Sequence, residues 1–423
     1  MKTVGMILAG GAGTRLDLLT EHRAKPAVPF GGQYRIIDFT LSNCANSGVA
    51  NVAVLAQHFH RTISHHIGVG HPWDFDKDFN SVDILTPHHA GQEKWVSGTA
   101  QAVFQNFQFL TEHNAQNVLV LCGDHVYGMD YRPLLEAHES SDADLTIAAI
   151  PVDGEKAKNY GILSIDERQK IRAFEEKPER PKSNLASMGV YVFRVAFLKQ
   201  VLQEVCCQHQ AIDFGLDVIP RVIGTYRAFA YPYGGYWRDV GTLEEYWHAN
   251  MELLQPSPPL DLYDRKNRFG VHTTSHQLPP AKISTTGKVV RSIVSGGCLI
   301  QGTVENSVLS PNVVVEEGAI VRNSIIFDRT LVGRGSLLDR TILDKEVVVG
   351  ASCRIGCGNF STGNREVPRI LNTGLNVVGK SAHIPAGTTI ERNCRILSGV
   401  LESDFLSKTV ESGTTVFPAS STC

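Results

Sequence analysis

A six-residue periodicity of apolar residues constrains the last third of the chain more than any other feature of its sequence. The periodic positions are Val308, Val314, Ile320 and Ile326; then Ile325, Leu331, Leu337, Leu343, Val349 and Ile355; then Val378, Ile384, Ile390 and Ile396. Such a repeat is typical of a hexapeptide β-helix, in which each coil buries its apolar edge against the next coil. We therefore expect a β-helix domain at residues 283–423, with a loop leaving one corner at residues 356–376.

The first 254 residues have a different pattern, in which short apolar strands alternate with helical segments. The predicted strands are Val4–Leu8, Asn51–Leu55, Val118–Leu121, Leu145–Pro151 and Gly189–Phe193, and residues 99–112 have helical spacing. This alternation favours an α/β domain with a mostly parallel sheet, whose ligands bind at the carboxyl ends of strands. A proline-rich segment at residues 255–282 is predicted to be a linker.

Charge and cysteine content exclude several classes of function. The net charge of -3 gives no electrostatic basis for binding nucleic acid or an anionic membrane. No apolar run approaches the roughly 20 residues that span a bilayer. The nine cysteines lack the paired spacing of a zinc site. We therefore expect a cytoplasmic protein with free thiols and no nucleic-acid or membrane partner.

A glycine-rich segment directly follows the first predicted strand and contains Gly10, Gly11, Gly13, Thr14 and Arg15. Glycines let the backbone approach a ligand, and successive N–H groups in such a turn can bind an anion. The arginine adds a guanidinium suited to phosphate oxygens. The spacing matches neither a P-loop nor the dinucleotide-binding fingerprint. A phosphate-binding loop and a purely structural turn both remain open.

Four further charged residues lie in positions suited to phosphate or metal binding. Lys25 and Lys177 each precede a proline, a position at which an extended backbone is expected. Asp124 follows a predicted buried strand, and Asp239 lies two residues before a glycine. Carboxylates together with substrate phosphates are typical ligands of Mg²⁺. The alternative is that the lysines are solvated surface charges and that the aspartates cap turns.

Taken in order, these motifs resemble those of the sugar nucleotidyltransferases, and within that family the ADP-glucose pyrophosphorylase branch. The resemblance is carried by residues 8–16, 23–28, 34–39, 41–44, 98–100, 123–125, 176–178, 187–193 and 236–242. The segments 23–28 and 41–44 are the most specific to this branch. The fold implied is a mostly parallel-sheet, Rossmann-like nucleotidyltransferase domain followed by a left-handed parallel β-helix of hexapeptide repeats.

The resemblance also implies an activity, a cofactor and partners. ATP and α-D-glucose 1-phosphate would give ADP-glucose and pyrophosphate, with Mg²⁺ as cofactor, and the product would supply glycogen synthesis. A homotetramer regulated by a small-molecule allosteric effector is expected. Catalytic roles are implied for Arg15, Lys25, Asp124, Lys177 and Asp239, of which Asp124 and Asp239 would hold the metal.

Binding roles are likewise implied by the resemblance. Nucleotide contacts are expected from Gly10, Gly11, Gly13, Thr14, Arg15, Gln57, Gly98 and Thr99. Contacts to glucose 1-phosphate are expected from Val96, Gly161, Glu176, Lys177 and Ser187.

Two positions depart from the family pattern. Trp95 is followed by Val96, where the family commonly has tyrosine, so a contact of that tyrosine is lost or replaced. His22 stands where enzymes activated by fructose 1,6-bisphosphate tend to have lysine, and imidazole is mostly neutral at pH 7. We therefore expect a different or weak effector response at a site containing His22, Arg23 and Arg35.

Two alternatives to the implied activity remain open. The chain could be a nucleotidyltransferase with a different nucleotide substrate, or a non-catalytic regulatory subunit of a mixed enzyme.

Overall fold

A computed structural model of the protein describes residues 1–11, 13–77, 79–86, 98–206, 212–262, 270–275 and 277–419. The chain divides into two compact units. We call the first the α/β unit; it comprises Met1–Gly11, Ile37–Trp237 and Leu262–Thr274. We call the second the solenoid unit; it comprises Ala12–Ile36, Arg238–Asp261 and Ser275–Cys423. In the part of the chain described, no helix has both the length and the apolar character needed to cross a membrane.

The helices and the first strands follow one another in the alternation that the sequence predicts. The helices are α1 (Ile36–Asn46), α2 (His60–Ile67), α3 (Thr99–Gln105), α4 (Phe107–Glu112), α5 (Arg132–Ser140), α6 (Gly154–Ala157), α7 (Val195–Cys206), α8 (Ile219–Val222) and α9 (Leu243–Glu252). The first strands are β1 (Thr3–Leu8), β2 (Pro29–Phe30), β3 (Tyr34–Arg35), β4 (Asn51–Leu55), β5 (Ser81–Leu85), β6 (Asn117–Cys122), β7 (His125–Tyr127), β8 (Leu145–Pro151), β9 (Gly161–Ile165), β10 (Ile171–Glu176), β11 (Leu185–Arg194), β12 (Ala228–Pro232) and β13 (Trp237–Asp239).

The α/β unit is built on a nine-stranded mixed sheet in the order β10-β9-β11-β6-β1-β4-β5, with β8 and β12 joined through β11. The strands β6, β1, β4 and β5 run parallel to one another. In this register Leu8 lies opposite Cys122, and the Gly123 N–H donates to the Leu8 carbonyl. The carboxyl ends of β1 and β6 therefore meet at one edge, which brings the start of the glycine loop near residues 123–125.

The predicted helix over residues 99–112 is interrupted. Asn106 has φ -103° and ψ 19°, and it separates α3 from α4. Its side-chain Nδ2 donates to the Ala102 carbonyl at 2.8 Å. An asparagine side chain that bonds a carbonyl of the preceding turn competes with the regular helix ladder, which accounts for the break.

The solenoid unit contains the remaining strands, each two to four residues long. They are β14 (Lys282–Ile283), β15 (Lys288–Val290), β16 (Ile293–Val294), β17 (Leu299–Ile300), β18 (Thr303–Glu305), β19 (Val308–Leu309), β20 (Val314–Val315), β21 (Ile320–Arg322), β22 (Ile325–Ile326), β23 (Leu331–Val332), β24 (Leu337–Asp339), β25 (Thr341–Leu343), β26 (Val348–Val349), β27 (Arg354–Cys357), β28 (Asn376–Val378), β29 (His383–Ile384), β30 (Thr389–Glu391), β31 (Arg395–Ile396), β32 (Thr409–Val410) and β33 (Thr415–Val416). Up to β31, every third strand pairs in parallel, and then β30 pairs with β32 and β31 with β33. The coils therefore form three sheets, as a hexapeptide β-helix requires.

The length of a coil differs from the strict multiple of six that the periodicity suggests. Ile320 pairs with Leu337, and Leu337 with Arg354, so each of these coils takes 17 residues. The inward positions therefore slip by one residue per coil, and those fully buried here are Val315, Val321, Ile326, Val332, Leu338 and Leu343. The sequence prediction of a core position is wrong for Ile320, which is 39% exposed. It is also wrong for Val314, Leu331 and Leu337, which are only half-buried.

The predicted interruption of the solenoid is confirmed. No helix or strand lies between β27 and β28. The side chain of Asn364 anchors this loop, because its Nδ2 donates to the Asn393 carbonyl while its Oδ1 accepts from the N–H groups of Glu366 and Val367. The loop therefore leaves one corner without disturbing the stacked core.

Candidate active site

The glycine loop is divided between the two units. Gly10 and Gly11 belong to the α/β unit, whereas Gly13, Thr14 and Arg15 belong to the solenoid unit. In the α/β unit, a side-chain carbon added at Gly10 would lie 3.3 Å from the Gln57 amide carbon. Gln57, which follows β4, therefore lies directly beside the first part of the loop.

In the solenoid unit, a lysine and an aspartate from distant parts of the chain form a buried ion pair. Lys25 Nζ lies 3.1 Å from Asp239 Oδ1, and the two side chains are only 6% and 17% exposed. Lys25 begins a short 3-10 helix, Lys25–Ala27, whose second residue is proline. The alternative in which Lys25 is a solvated surface charge is therefore wrong, because its ammonium group is held against a carboxylate inside the unit.

Arg15 lies next to the same aspartate. A side-chain carbon added at Gly241 would be 2.8 Å from Arg15 Nη2 and 2.8 Å from Asp239 Oδ1. Gly241 therefore permits the close approach of an exposed guanidinium to a carboxylate. The hydroxyl of Thr242 then caps α9 by accepting from the Glu245 N–H. Arg15, Lys25 and Asp239 thus form one cluster of two cations and one anion.

Asp124 lies at the carboxyl end of β6 in the α/β unit and is partly exposed. Donor atoms of Cys122, Asp124 and His125 lie within 4.8 Å of one another. The Nδ1 of His125 is 3.1 Å from the Met188 carbonyl, and its ring packs edge-on against Trp237 at 5.2 Å. His125 is a neighbour of Asp124 that the sequence analysis did not single out, although the two are adjacent in the chain.

The residues predicted to bind the sugar phosphate form a second cluster in the α/β unit. Lys177 Nζ lies 3.3 Å from Glu176 Oε1 and is 64% exposed, so it can reach an incoming anion. A side-chain carbon added at Gly161 would lie 2.9 Å from the other Glu176 oxygen. Ser187, on the adjoining strand β11, donates to the Tyr191 hydroxyl at 3.4 Å. Burial raises the pKa of Tyr191 well above its ordinary value, so this phenol stays protonated.

A neighbour of this cluster was missed by the sequence analysis. The Thr99 hydroxyl donates to Asp213 Oδ2 at 2.8 Å and accepts from the Phe214 N–H. A side-chain carbon added at Gly215 would lie 2.6 Å from Glu176 Oε2. The segment 213–215 therefore joins Thr99 to Glu176. The sequence pattern that could have indicated this segment is an aspartate two residues before a glycine, Asp213 before Gly215. Asp239 stands in the same pattern before Gly241. The predicted residue Val96 lies outside the described residues.

Comparisons with known proteins identify the family. A family model described as nucleotidyl transferase matches residues 4–256, and one described as GlmU-like, C-terminal hexapeptide matches residues 279–378. A glucose-1-phosphate adenylyltransferase of Thermotoga sp. (strain RQ2) is 49% identical over 415 residues, which cover 97% of each chain. The enzymes of that name from Thermomicrobium roseum and Acetivibrio thermocellus are 47% and 42% identical, again over at least 97% of each chain.

The chain belongs to the glucose-1-phosphate adenylyltransferase family. It is a nucleotidyltransferase, and enzymes of this kind generally use a divalent metal. Both halves of the predicted architecture are confirmed, because the first model covers the α/β sheet and the second covers most coils of the solenoid.

The residues expected to form the effector site lie in the solenoid unit. His22 is about half exposed, and its Nε2 lies 3.8 Å from Glu21. Arg23 is buried and pairs with Asp344 at 2.8 Å, and Arg35 donates to the Ala27 carbonyl at 3.1 Å. Any anion that binds Arg23 must therefore compete with an internal carboxylate.

A third cation belongs to the same group. Burial lowers the pKa of Lys345, and the positive charges of Arg35 and Arg23 lower it further, while Asp328 opposes them. Lys345 is itself paired with Asp328, as Arg23 is with Asp344, so an added anion would meet cations that already have carboxylate partners.

Proposed function

We propose that the protein joins ATP to α-D-glucose 1-phosphate, forming ADP-glucose and releasing pyrophosphate, and that it does so for glycogen synthesis. The observation that carries the proposal is the cluster of Arg15, Lys25 and Asp239, in which two cations are held beside the glycine loop. The names of the relatives, which match almost the full chain, support the choice of substrates.

The reaction requires little acid–base chemistry. A phosphate oxygen of glucose 1-phosphate attacks the α-phosphorus of ATP in line, and pyrophosphate leaves with the bond electrons. The attacking oxygen is already anionic, so no strong base is needed. The barrier comes from bringing two polyanions together and from the charge that develops on the leaving group. Positioning and electrostatic stabilisation are therefore the main contributions of the protein.

The roles of the cations follow from their placement. Gly10, Gly11, Gly13 and Thr14 would surround the nucleotide phosphates with backbone N–H groups, and Gln57, Gly98 and Thr99 would line the nucleotide site. Arg15 is exposed, so its guanidinium is accessible to a leaving pyrophosphate, and Lys25 is paired with Asp239 before any ligand arrives. A cation held in advance stabilises developing charge without reorganisation during the reaction.

The donor residues fit Mg²⁺ as the divalent metal. Asp124 and Asp239 offer carboxylate oxygens, which Mg²⁺ prefers together with substrate phosphates, whereas the thiol and imidazole near Asp124 suit softer metals. We propose that these two aspartates hold the ion. When bound, Mg²⁺ would neutralise phosphate charge and orient the α-phosphorus.

The second cluster would bind glucose 1-phosphate. Lys177 would neutralise the sugar phosphate, while Glu176 and Ser187 would bond sugar hydroxyls and Gly161 would leave room for the ring.

A nucleotide panel tests the substrate assignment. The purified protein is given glucose 1-phosphate with ATP, dTTP, GTP or UTP at equal concentration. We expect kcat/KM to be highest for ATP; a preference for dTTP or GTP would instead establish the alternative of a thymidylyl- or guanylyltransferase.

We further propose that His22, Arg23 and Arg35 contribute to an anionic effector site. The proposal is supported by the family resemblance and by the nearness of both arginines to Lys345, whose pKa is lowered first by burial and then by these two positive charges. Because His22 replaces a lysine, activation by fructose 1,6-bisphosphate should be weak. Pyrophosphate release with and without the bisphosphate measures this, and tenfold activation at micromolar concentration would contradict it. His22→Lys should increase the response to the bisphosphate.

Assembly, cellular location and domain boundaries are the remaining proposals. The family resemblance favours a homotetramer, which light scattering of the purified protein would measure. A cytoplasmic location is supported by the free thiols of Cys44, Cys298, Cys353 and Cys394, which suit a reducing compartment. The boundaries 1–254, 255–282 and 283–423 stay predictions, and limited proteolysis with mapping of the cleavage sites would test them.

A further inference from the structure

The segment after the glycine loop contains a residue in a conformation that side-chain-bearing residues rarely adopt. Asp17 has φ 49° and ψ -126° and interrupts the 3-10 helix Thr14–Thr20. With a Cβ atom this combination is strained, and it persists only where surrounding contacts enforce it. Asp17 lies two residues after Arg15. Contacts that hold Asp17 in place therefore also constrain the backbone from which the Arg15 side chain projects.

The contact that holds Asp17 comes from a coil of the solenoid. Arg395, on β31, donates from Nε to Asp17 Oδ2 at 2.7 Å and from Nη2 to Oδ1 at 2.6 Å. The Asp17 side chain is 7% exposed and the Arg395 side chain is 18% exposed. The two residues are 378 positions apart in the chain. A bidentate pair between a guanidinium and a carboxylate fixes both distance and orientation.

Both ends of this pair are rigidly supported within the solenoid unit. The Thr20 hydroxyl donates to the carbonyls of Gly13 and Asp17 at 3.0 Å, and it thereby closes the turn around Arg15. At the other end, Ile396 follows Arg395 and is fully buried in the solenoid core. The Asp17–Arg395 ion pair therefore ties the turn that contains Arg15 to a coil of the solenoid.

We propose that Asp17 and Arg395 form a positioning pair that holds Arg15 beside Asp239 and thereby sets the catalytic rate. The inference rests on the proposed role of Arg15 in stabilising the leaving pyrophosphate. That charge develops mainly in the transition state, so a displaced Arg15 lowers kcat more than it raises KM for either substrate.

The test combines single variants with an Arg15-deficient background. Arg395→Gln and Asp17→Asn should each lower kcat by about ten- to a hundredfold, the range expected for a misplaced catalytic group. KM for ATP and for glucose 1-phosphate should change by less than about threefold. Arg395→Lys should recover part of the rate, because it keeps the charge and loses the bidentate geometry. In an Arg15→Ala protein, adding Arg395→Gln should lower kcat by no more than about twofold, because the pair acts through Arg15.

A matched control comes from a neighbouring contact between the same two segments. Ser398 Oγ donates to Glu21 Oε2 at 2.6 Å, outside the turn that contains Arg15. Ser398→Ala should leave kcat unchanged. Thermal melts of every variant separate misplacement from unfolding, and if Arg395→Gln does not fold, the shape-conserving Asp17→Asn decides the question.

The outcomes that overturn the proposal are distinct from a failure of the function. The positioning pair is overturned if Asp17→Asn and Arg395→Gln both keep the wild-type kcat. It is also overturned if Arg395→Gln lowers kcat as strongly in the Arg15→Ala protein as it does in the wild type. A wild-type protein that makes no ADP-glucose refutes the function itself. An Arg15→Ala protein with normal turnover refutes the role of Arg15; either of these last two results also removes the pair from the mechanism.

Discussion

The two units hold their charged residues in different ways. In the α/β unit, Asp124 and Lys177 are partly or largely exposed at strand ends, where they can meet a ligand. In the solenoid unit, the cations Lys25, Arg23 and Arg395 are mostly buried against carboxylates. In the proposed mechanism, Asp124 and Lys177 are accessible to a substrate, whereas Lys25 is paired with a carboxylate before a substrate binds. Substitutions of the exposed Asp124 or Lys177 should therefore affect activity alone, whereas substitutions of the buried cations of the solenoid unit should lower folding stability as well.

The largest expected effect is on activity and concerns Asp124. Asp124→Ala, or the closer mimic Asp124→Asn, should lower kcat by a hundredfold or more, on the order of the loss of a metal ligand. Because the side chain is partly exposed, the melting temperature should stay close to that of the wild type. Steady-state assays and thermal melts measure both quantities, and near-normal activity would remove Asp124 from the mechanism.

A smaller effect in the α/β unit is expected at Lys177, in the cluster proposed to bind glucose 1-phosphate. Lys177→Ala should raise KM for glucose 1-phosphate by about tenfold or more, as the loss of a charge-assisted contact implies, with little change in KM for ATP. Since Lys177 is mostly exposed, stability should not fall. Lys182→Ala is a matched control, because Lys182 pairs with Glu175 on the surface at 2.9 Å. Equal effects of the two substitutions would contradict the assignment.

In the solenoid unit, the expected effect is on stability. Arg23→Met leaves the fully buried Asp344 without its cation and should lower the free energy of unfolding by about 3–5 kcal/mol. Chemical denaturation measures this change. Arg334→Met, which breaks the exposed pair of Arg334 with Glu317, should have no measurable effect. If both variants are equally stable, the contrast between the two units is wrong.

Much of the fold was predictable because it rests on local patterns. The apolar periodicity indicated the solenoid, and the strands Asn51–Leu55 and Leu145–Pro151 were predicted to the residue. The 17-residue coil was not predicted, because a shortened corner changes the register without removing the periodicity. The site was only partly predictable. The burial of Lys25 and the pairing of Asp17 with Arg395 depend on contacts between segments more than 200 residues apart, about which sequence spacing says nothing.

The α/β unit should also show a stability that depends on pH, through the buried His138. Burial lowers the pKa of His138, in the α/β unit, to about 4, and its Nδ1 lies 2.8 Å from the Thr146 hydroxyl. In the unfolded chain an imidazole has a pKa near 6.5. The unfolded state therefore binds more protons between these values, so stability falls as the pH drops from about 7 to about 4, by up to about 3 kcal/mol.

Urea denaturation at pH 7, 5.5 and 4 follows this loss. His138→Gln should be less stable at pH 7 and should show a weaker dependence on pH over the same interval. An unchanged pH dependence in that variant would assign the acid sensitivity to other groups.

The most direct test of the account is the activity of the purified chain on its own. The protein is incubated with ATP, glucose 1-phosphate and Mg²⁺, and ADP-glucose and pyrophosphate are both quantified. The account predicts that the two products form in equal amounts and that Asp124→Asn abolishes both. Absence of ADP-glucose until a second kind of subunit is added would contradict it, and would establish the chain as a regulatory subunit of a mixed enzyme.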